Sequence, residues 1–293
     1  MNDSYGYTLA LPPRHVPWSV RVRLLFGGGV SQFGWMWLGF SMIFVWIFGL
    51  QTDFSAVVFA LDAVETTRGV VTAVEPTSAS VNDTPVYANH FTYRIERLET
   101  EHEGVSYTTG DEFQAGQEVT VEYLKRYPTV SRIEDTRRGE FDLWTVPFLS
   151  IFLLVGVGMV GFGLKNGVKA NRLLTHGKVG MGTLMSKEAT NTEVNDRTVY
   201  KLTFAFTADD GQSYEIVNKT TATHLLEDDA QERLLYNPYN PRYAVMLDNL
   251  PGSPDIDELG RIQTKSPVSS FLTLLLPVLF ITVNGLVFLF VML

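Results

Sequence analysis

One stretch of this chain occurs twice, and apolar runs long enough to cross a bilayer separate and flank the two copies. Val81-Asn82-Asp83-Thr84-Pro85-Val86-Tyr87 returns as Val194-Asn195-Asp196-Arg197-Thr198-Val199-Tyr200. At the same offset Gly69 matches Gly182, Phe91 matches Phe204, and aromatic Tyr93 matches Phe206. Gly104-Val105-Ser106-Tyr107 then meets Gly211-Gln212-Ser213-Tyr214 at a shorter offset, before Tyr123/Tyr236 and Pro128/Pro241 restore the original one. A repeat of this kind fixes the number of structural units before any other fold argument.

Three runs, 24–50, 143–164 and 268–293, contain no Asp, Glu, Lys, Arg or His. A helix needs roughly 20 apolar residues to span the hydrocarbon core, and a globular core helix is rarely uncharged all round over that length. The expected organisation is an N-terminal segment 1–23, spans at 24–50, 143–164 and 268–293, and β-modules at 66–137 and 176–251. The fold class is therefore a helical membrane protein carrying two small all-β modules, barrel-like or sandwich-like. No cleavable signal is expected, because the first run is too long and no small-residue cleavage site follows it.

Arg14, Arg21 and Arg23 precede the first span; Lys165, Lys169, Arg172 and Lys178 follow the second; Arg261 and Lys265 precede the third. The positive-inside rule then puts the N-terminus and the second module in the cytoplasm, with the first module and the C-terminus outside. A rival topology folds 24–61 into a helical hairpin. Gln51-Thr52-Asp53 interrupts that stretch, and the remaining limb is too short to span. The first loop region, 51–142, has 17 acidic and 8 basic residues, a composition unsuited to nucleic acid. The chain has no cysteine, which removes disulfide and thiol chemistry.

Both modules read as strands. Tyr200, Leu202, Phe204 and Phe206 alternate with more polar residues, as do Tyr87, Asn89, Phe91 and Tyr93, giving the period of a half-buried strand. Val119, Val121 and Tyr123 alternate likewise after an Ala115-Gly116-Gln117 turn. Asp209-Asp210-Gly211 suits a tight hairpin, and Glu103-Gly104 is expected to turn the first module after six additional residues. Phe91, Tyr93, Val121, Tyr123, Phe204 and Phe206 are the expected core. The Tyr-to-Pro spacing ends a strand through turn chemistry.

The ordered set Gly69-Val70-Val71, the Tyr87–Tyr93 strand, Ser106-Tyr107 and the segment 119–128, repeated in the second module, resembles a bacterial membrane-protein family known as domain of unknown function 3592. The resemblance implies a membrane-tethered β-domain in a bacterial inner membrane, with no catalytic residue to carry over.

Catalytic chemistry finds little purchase. No pair among His15, His90, His102, His176 and His224 has metal-ligand spacing. Ser186 and Lys187 point to opposite faces of a strand. Glu227-Asp228-Asp229 is contiguous and lacks the glycine of a calcium loop, so it reads as a solvated loop. Gly156, Gly158, Gly161 and Gly163 offer a small-residue surface for helix approach. No catalytic residue, cofactor or metal is expected. The expected function is a non-catalytic membrane protein whose modules mediate protein–protein interaction or assembly, with the bilayer and a protein partner or second copy as partners. An oligomeric transporter or channel component and an accessory membrane-bound hydrolase are the alternatives.

Overall fold

The computed structural model describes residues 9–95, 100–264 and 266–293. Lys265, counted above among the charges before the third span, lies outside them, as do residues 1–8. In chain order, helices α1 (Trp18–Phe26) and α2 (Gly29–Phe44, continued by a π-helical turn over Val45–Gly49) precede a short α3 (Ser55–Leu61). Strands β1 (Val64–Val81), β2 (Thr84–Ile95), β3 (Thr100–Thr109), β4 (Glu118–Leu124) and β5 (Ser131–Ile133) follow. After α4 (Thr145–His176) come β6 (Lys178–Val194), β7 (Arg197–Thr207), β8 (Ser213–Thr220), β9 (Glu232–Asn237) and β10 (Asn240–Met246). A two-strand ribbon, β11 (Asp255–Ile256) and β12 (Ile262–Gln263), leads to α5 (Pro267–Leu272) and α6 (Leu275–Met292).

Three helical stretches are long and apolar enough to cross a membrane: Gly29–Gly49, Thr145–His176 and Pro267–Val291. The first begins later than the apolar run suggests. Gly27 and Gly28 separate α1 from α2, and Leu24 is buried in a soluble-type core with Val16, Val20, Leu173, Leu174 and Leu235. Residues 24–26 thus belong to α1. The stretch 55–61 forms a seven-residue helix, too short to span.

The two modules have one strand order. Their antiparallel sheets run β3-β2-β1-β4-β5 and β8-β7-β6-β9-β10. The agreement extends to register. Gly69 pairs with Tyr93 and Val119; Gly182 belongs to the ladder that pairs Lys178 with Tyr236 and Gly182 with Glu232. The β1–β2 ladder shifts register between Val71 and Ala73 and between Pro76 and Ser80. The β6–β7 ladder shifts between Leu184 and Ser186 and between Ala189 and Glu193, the matching positions. Inside the second irregularity Thr77 Oγ1 accepts from Ala79 N (3.1 Å), and Thr190 Oγ1 accepts from Thr192 N (3.3 Å). Bulges occupy specific positions because they redirect a strand, so their repetition marks the two modules as one structure used twice.

The repeated Asn-Asp is the tip of the first hairpin in each module. Asn82 and Asp83 have φ of 49° and 63°, and Asn195 and Asp196 have 50° and 57°. Both central residues of a type I′ turn need this left-handed region, which asparagine and aspartate tolerate better than most side chains. The expected turns at Gly116 (φ 86°) and Gly211 (φ 75°) are present.

The expected core is buried: Phe91, Tyr93, Val121 and Tyr123 in one module, Phe204 and Phe206 in the other, all at 6% exposure or less. The Gly-x-Ser-Tyr match is corrected. Glu103 and Gly104 lie within β3 and Gly104 pairs with Phe91, whereas Gly211 sits in the β7–β8 turn. In β8 the residue paired with Phe206 is Tyr214, and in β3 the residue paired with Tyr93 is His102. Tyr107 therefore corresponds to Lys219, and the six additional residues are no insertion at a hairpin tip; residues 96–99 at that tip lie outside the described residues. The two glycines do different work: a Cβ on Gly104 would stand 2.4 Å from the Phe91 ring, while Gly211 takes positive φ. Pro241, expected to end a strand, lies inside β10, and Pro128 lies in the turn before β5.

In the unit Phe40–Leu154, the entry and exit of the first module are tied together. Asp53 N donates to Phe141 O (2.8 Å), and Arg138 N donates to Asp53 Oδ2 (2.9 Å). In the other unit the small residues on α4 divide by face. A Cβ on Gly156 would meet Leu38 at 2.7 Å, on Gly163 Ser31 at 2.5 Å, and on Gly167 the Leu24 carbonyl at 2.4 Å. Gly158 and Gly161 have nothing within 4 Å. Close helix approach uses the first set alone.

Candidate functional site

Closure of the curled sheet distinguishes the modules. In the first, edge strand β3 is sealed to the chain around β5. Ile133 N donates to Ser106 Oγ (2.8 Å). Tyr107 N donates to Arg137 O (2.7 Å), and Arg137 N returns a bond to Tyr107 O (3.3 Å). Behind this seam the buried Asn89 amide donates to Thr108 Oγ1 (3.0 Å) and Ser106 O (3.3 Å).

In the second module Leu202 stands where Asn89 does, and Asn218 and Lys219 stand for Ser106 and Tyr107. Among the described residues no ladder joins β8 to β10; one side-chain bond, Asn249 Nδ2 to Asn218 Oδ1 (2.9 Å), bridges from the chain after β10. A cavity of about 700 Å³ opens at this seam, between β8, β10, the Gly28–Ser31 segment at the start of α2 and α4.

The walls are mixed: Val30, Phe162, Ile216 and Val217 are apolar, Lys169, Lys219 and Arg242 are cationic, and Glu215 is the acidic residue of the lining. Lys169 is half-buried against module two, its ammonium 4.8 Å over the Tyr243 ring. Among the described residues none of these three cations has a carboxylate within ion-pair distance, in contrast to Lys178, Lys187 and Lys201. Ser31, 1% exposed, lines the cavity and its hydroxyl has no hydrogen-bond partner, an unusual condition for a buried donor.

The second module is held against the end of α4 by the core of Val16, Val20, Leu24, Leu173, Leu174 and Leu235. The helix does continue through 166–174, as its sequence suggests, and β6 starts two residues after it ends.

The candidates weighed from sequence fall elsewhere. Lys187 pairs with Glu227 (2.7 Å), in the loop that carries Glu227-Asp228-Asp229 after a 3-10 turn at Thr223–Leu225. The described residues hold no group of three or more His, Cys, Asp or Glu arranged for a metal ion. The cavity residues escaped notice because they are scattered from Ser31 to Arg242. One signal was available: Lys169 follows the end of an apolar run by about one helical turn, on the face that carries Phe162 and Asn166.

One titratable group beside this region is displaced. Glu232 is 3% exposed at the start of β9, and its Oε1 accepts from Asp229 N at 3.3 Å. Burial pushes its carboxyl up from 4.5 to about 7, aided by Asp228, Asp248 and Asp229. The fold favours the protonated form, so this contribution is complete below pH 4.5 and is lost as pH rises through about 7. Thermal melts between pH 5 and pH 8 should show a decline on the order of 2 kcal/mol. Glu232→Gln should flatten it; an unchanged slope in that variant would contradict the assignment.

Comparison with known proteins returned no matching family description, no matching curated protein and no matching solved structure.

Proposed function

We propose that this is a non-catalytic integral membrane protein whose two β-modules bind and organise other proteins, copies of itself included, by strand pairing. The observation behind this reading is a free edge repeated in both modules. Beyond Val71 the outer edge of β1, and beyond Gly182 that of β6, meets no strand among the described residues. This edge is backed by a third strand over 73–76 and 186–189 and runs on into a two-stranded hairpin arm beyond them, leaving unpaired backbone groups along one side, the feature that strand addition uses. The bulges, Pro76 and the charges of Lys187 and Glu188 break that edge into short runs at 73–76 and 186–189. Such breaks disfavour indiscriminate aggregation and suit a short partner strand.

The resemblance of the repeated motif set to the domain of unknown function 3592 family is what supports placing the chain among such bacterial proteins, in the cytoplasmic membrane. The Arg14, Arg21, Arg23 and Lys165, Lys169, Arg172, Lys178 clusters support a cytoplasmic N-terminus.

Matched photo-crosslinking residues at Ser78 and Asn191, both exposed on the arms, test the reading in native membranes. Protein adducts should form at both positions and not at the exposed controls Glu112 and Asp210. Equal yields at arms and controls, or none at the arms, would overturn it.

A further inference from the structure

We propose that the open seam of the second module is a binding site for one anionic phospholipid, drawn from the bilayer with its phosphate among Lys169, Lys219 and Arg242. The cavity straddles the membrane boundary by two independent markers. Its helical wall runs from Phe162 to Ala170, across the point where the uncharged stretch of α4 ends at Lys165. The 28–31 part of its lining, packed directly on α4, includes the start of the first span at Gly29. Along α4 the lining passes from Phe162, before Lys165, to Lys169, after it, from apolar to cationic as in a phospholipid. A volume of about 700 Å³ falls in the range of sites that enclose small ligands.

The charges match the ligand. Three cations against Glu215 leave the cavity positive in a chain of net charge −9, and none of the three is consumed by an ion pair. A half-buried lysine without a carboxylate is costly unless an anion approaches it. Asn166 and Asn218 supply hydrogen-bonding groups along the same walls. The equivalent seam of the first module is closed by backbone and Ser106 hydrogen bonds, so the site belongs to the second module alone.

Native mass spectrometry of the full-length protein in dodecyl maltoside, with dioleoyl phosphatidylglycerol or dioleoyl phosphatidylcholine added, tests this. Phosphatidylglycerol should be retained in preference to phosphatidylcholine. Lys219→Gln and Arg242→Gln, at exposed positions that leave the core intact, should each weaken phosphatidylglycerol retention about fivefold and leave phosphatidylcholine unchanged. Lys169→Gln should do the same, with Lys169→Arg restoring binding; Lys187→Gln, whose partner is Glu227, should have no effect. Equal retention of the two lipids, or indifference to all three cation variants, would overturn the proposal. Displacement of the lipid by millimolar inorganic phosphate would assign the cavity to a soluble anion and also overturn it. A photo-crosslinker at Val217 should capture lipid; polypeptide adducts there without lipid would assign the seam to a protein strand. The arms at Ser78 and Asn191 report separately, so loss of one proposal leaves the other standing.

Discussion

Phe204→Ala is expected to destabilise the second module by about 3–5 kcal/mol, the range for removing a buried phenylalanine. Phe204 is fully buried in a cluster with Leu202, Phe206, Leu226, Leu234 and Tyr236. A Cβ on Gly182 of the neighbouring strand would lie 3.3 Å from Phe204 Cβ. Neighbours packed this closely on a β-ladder relax only partly into a void. A module of this size has a total stability of roughly 4–10 kcal/mol, so the substitution removes a large share. Phe91→Ala is the matched change in the first module, where Phe91 is 1% exposed. Limited proteolysis of the full-length protein during heating should show each variant releasing cleavage sites in its own module first. Unchanged melting, or simultaneous loss of both modules in each variant, would contradict the assignment of separate, equivalent cores.

Arg14→Met should cost about 2–3 kcal/mol and act at the junction between α4 and the second module. Arg14 is 7% exposed. Its Nη1 donates to Leu174 O (3.0 Å) and Gly177 O (2.9 Å), and its backbone N–H donates to Thr175 O (2.8 Å). The last carbonyls of a helix have no intrahelical partner, and a cation there also complements the helix dipole. Burial lowers the guanidinium below its ordinary range, so desolvation offsets part of the gain. Methionine keeps the apolar stem and leaves the carbonyls unpaired. Amide exchange should accelerate over the last turn of α4 and the first residues of β6, with the β9–β10 hairpin tip unaffected. Unaltered exchange at Gly177 and Lys178 would show that the cap contributes nothing.

Arg14 also shows where sequence reading stopped. As a charge near a span it is an orientation signal, while its role as a cap depends on Leu174, 160 positions away, and is invisible to periodicity. The alternating strands, the Gly116 and Gly211 turns and the buried aromatics were legible because each rests on local spacing. The Asn-Asp repeat was visible as identity, and its meaning as a type I′ turn lay in the φ values of four residues. Residue identity misled at Gly104, which matched Gly211 by letter while one glycine clears a ring and the other makes a turn. Bulge positions set the true alignment, and a bulge leaves no reliable trace in composition. The seam cavity was the least legible feature, because it arises where the backbone hydrogen bonds that close the first module have no counterpart between β8 and β10 among the described residues.

The central claim is that one β-fold is used twice, with a single membrane-crossing helix between the copies. The chain has no native cysteine, so Thr100→Cys and Asp228→Cys, each at an exposed position, can be probed singly with a membrane-impermeant thiol reagent. Thr100→Cys should label in intact cells, and Asp228→Cys only after the membrane is opened. Labelling of both from outside would contradict the claim and show that the helix between the modules does not separate them across the membrane.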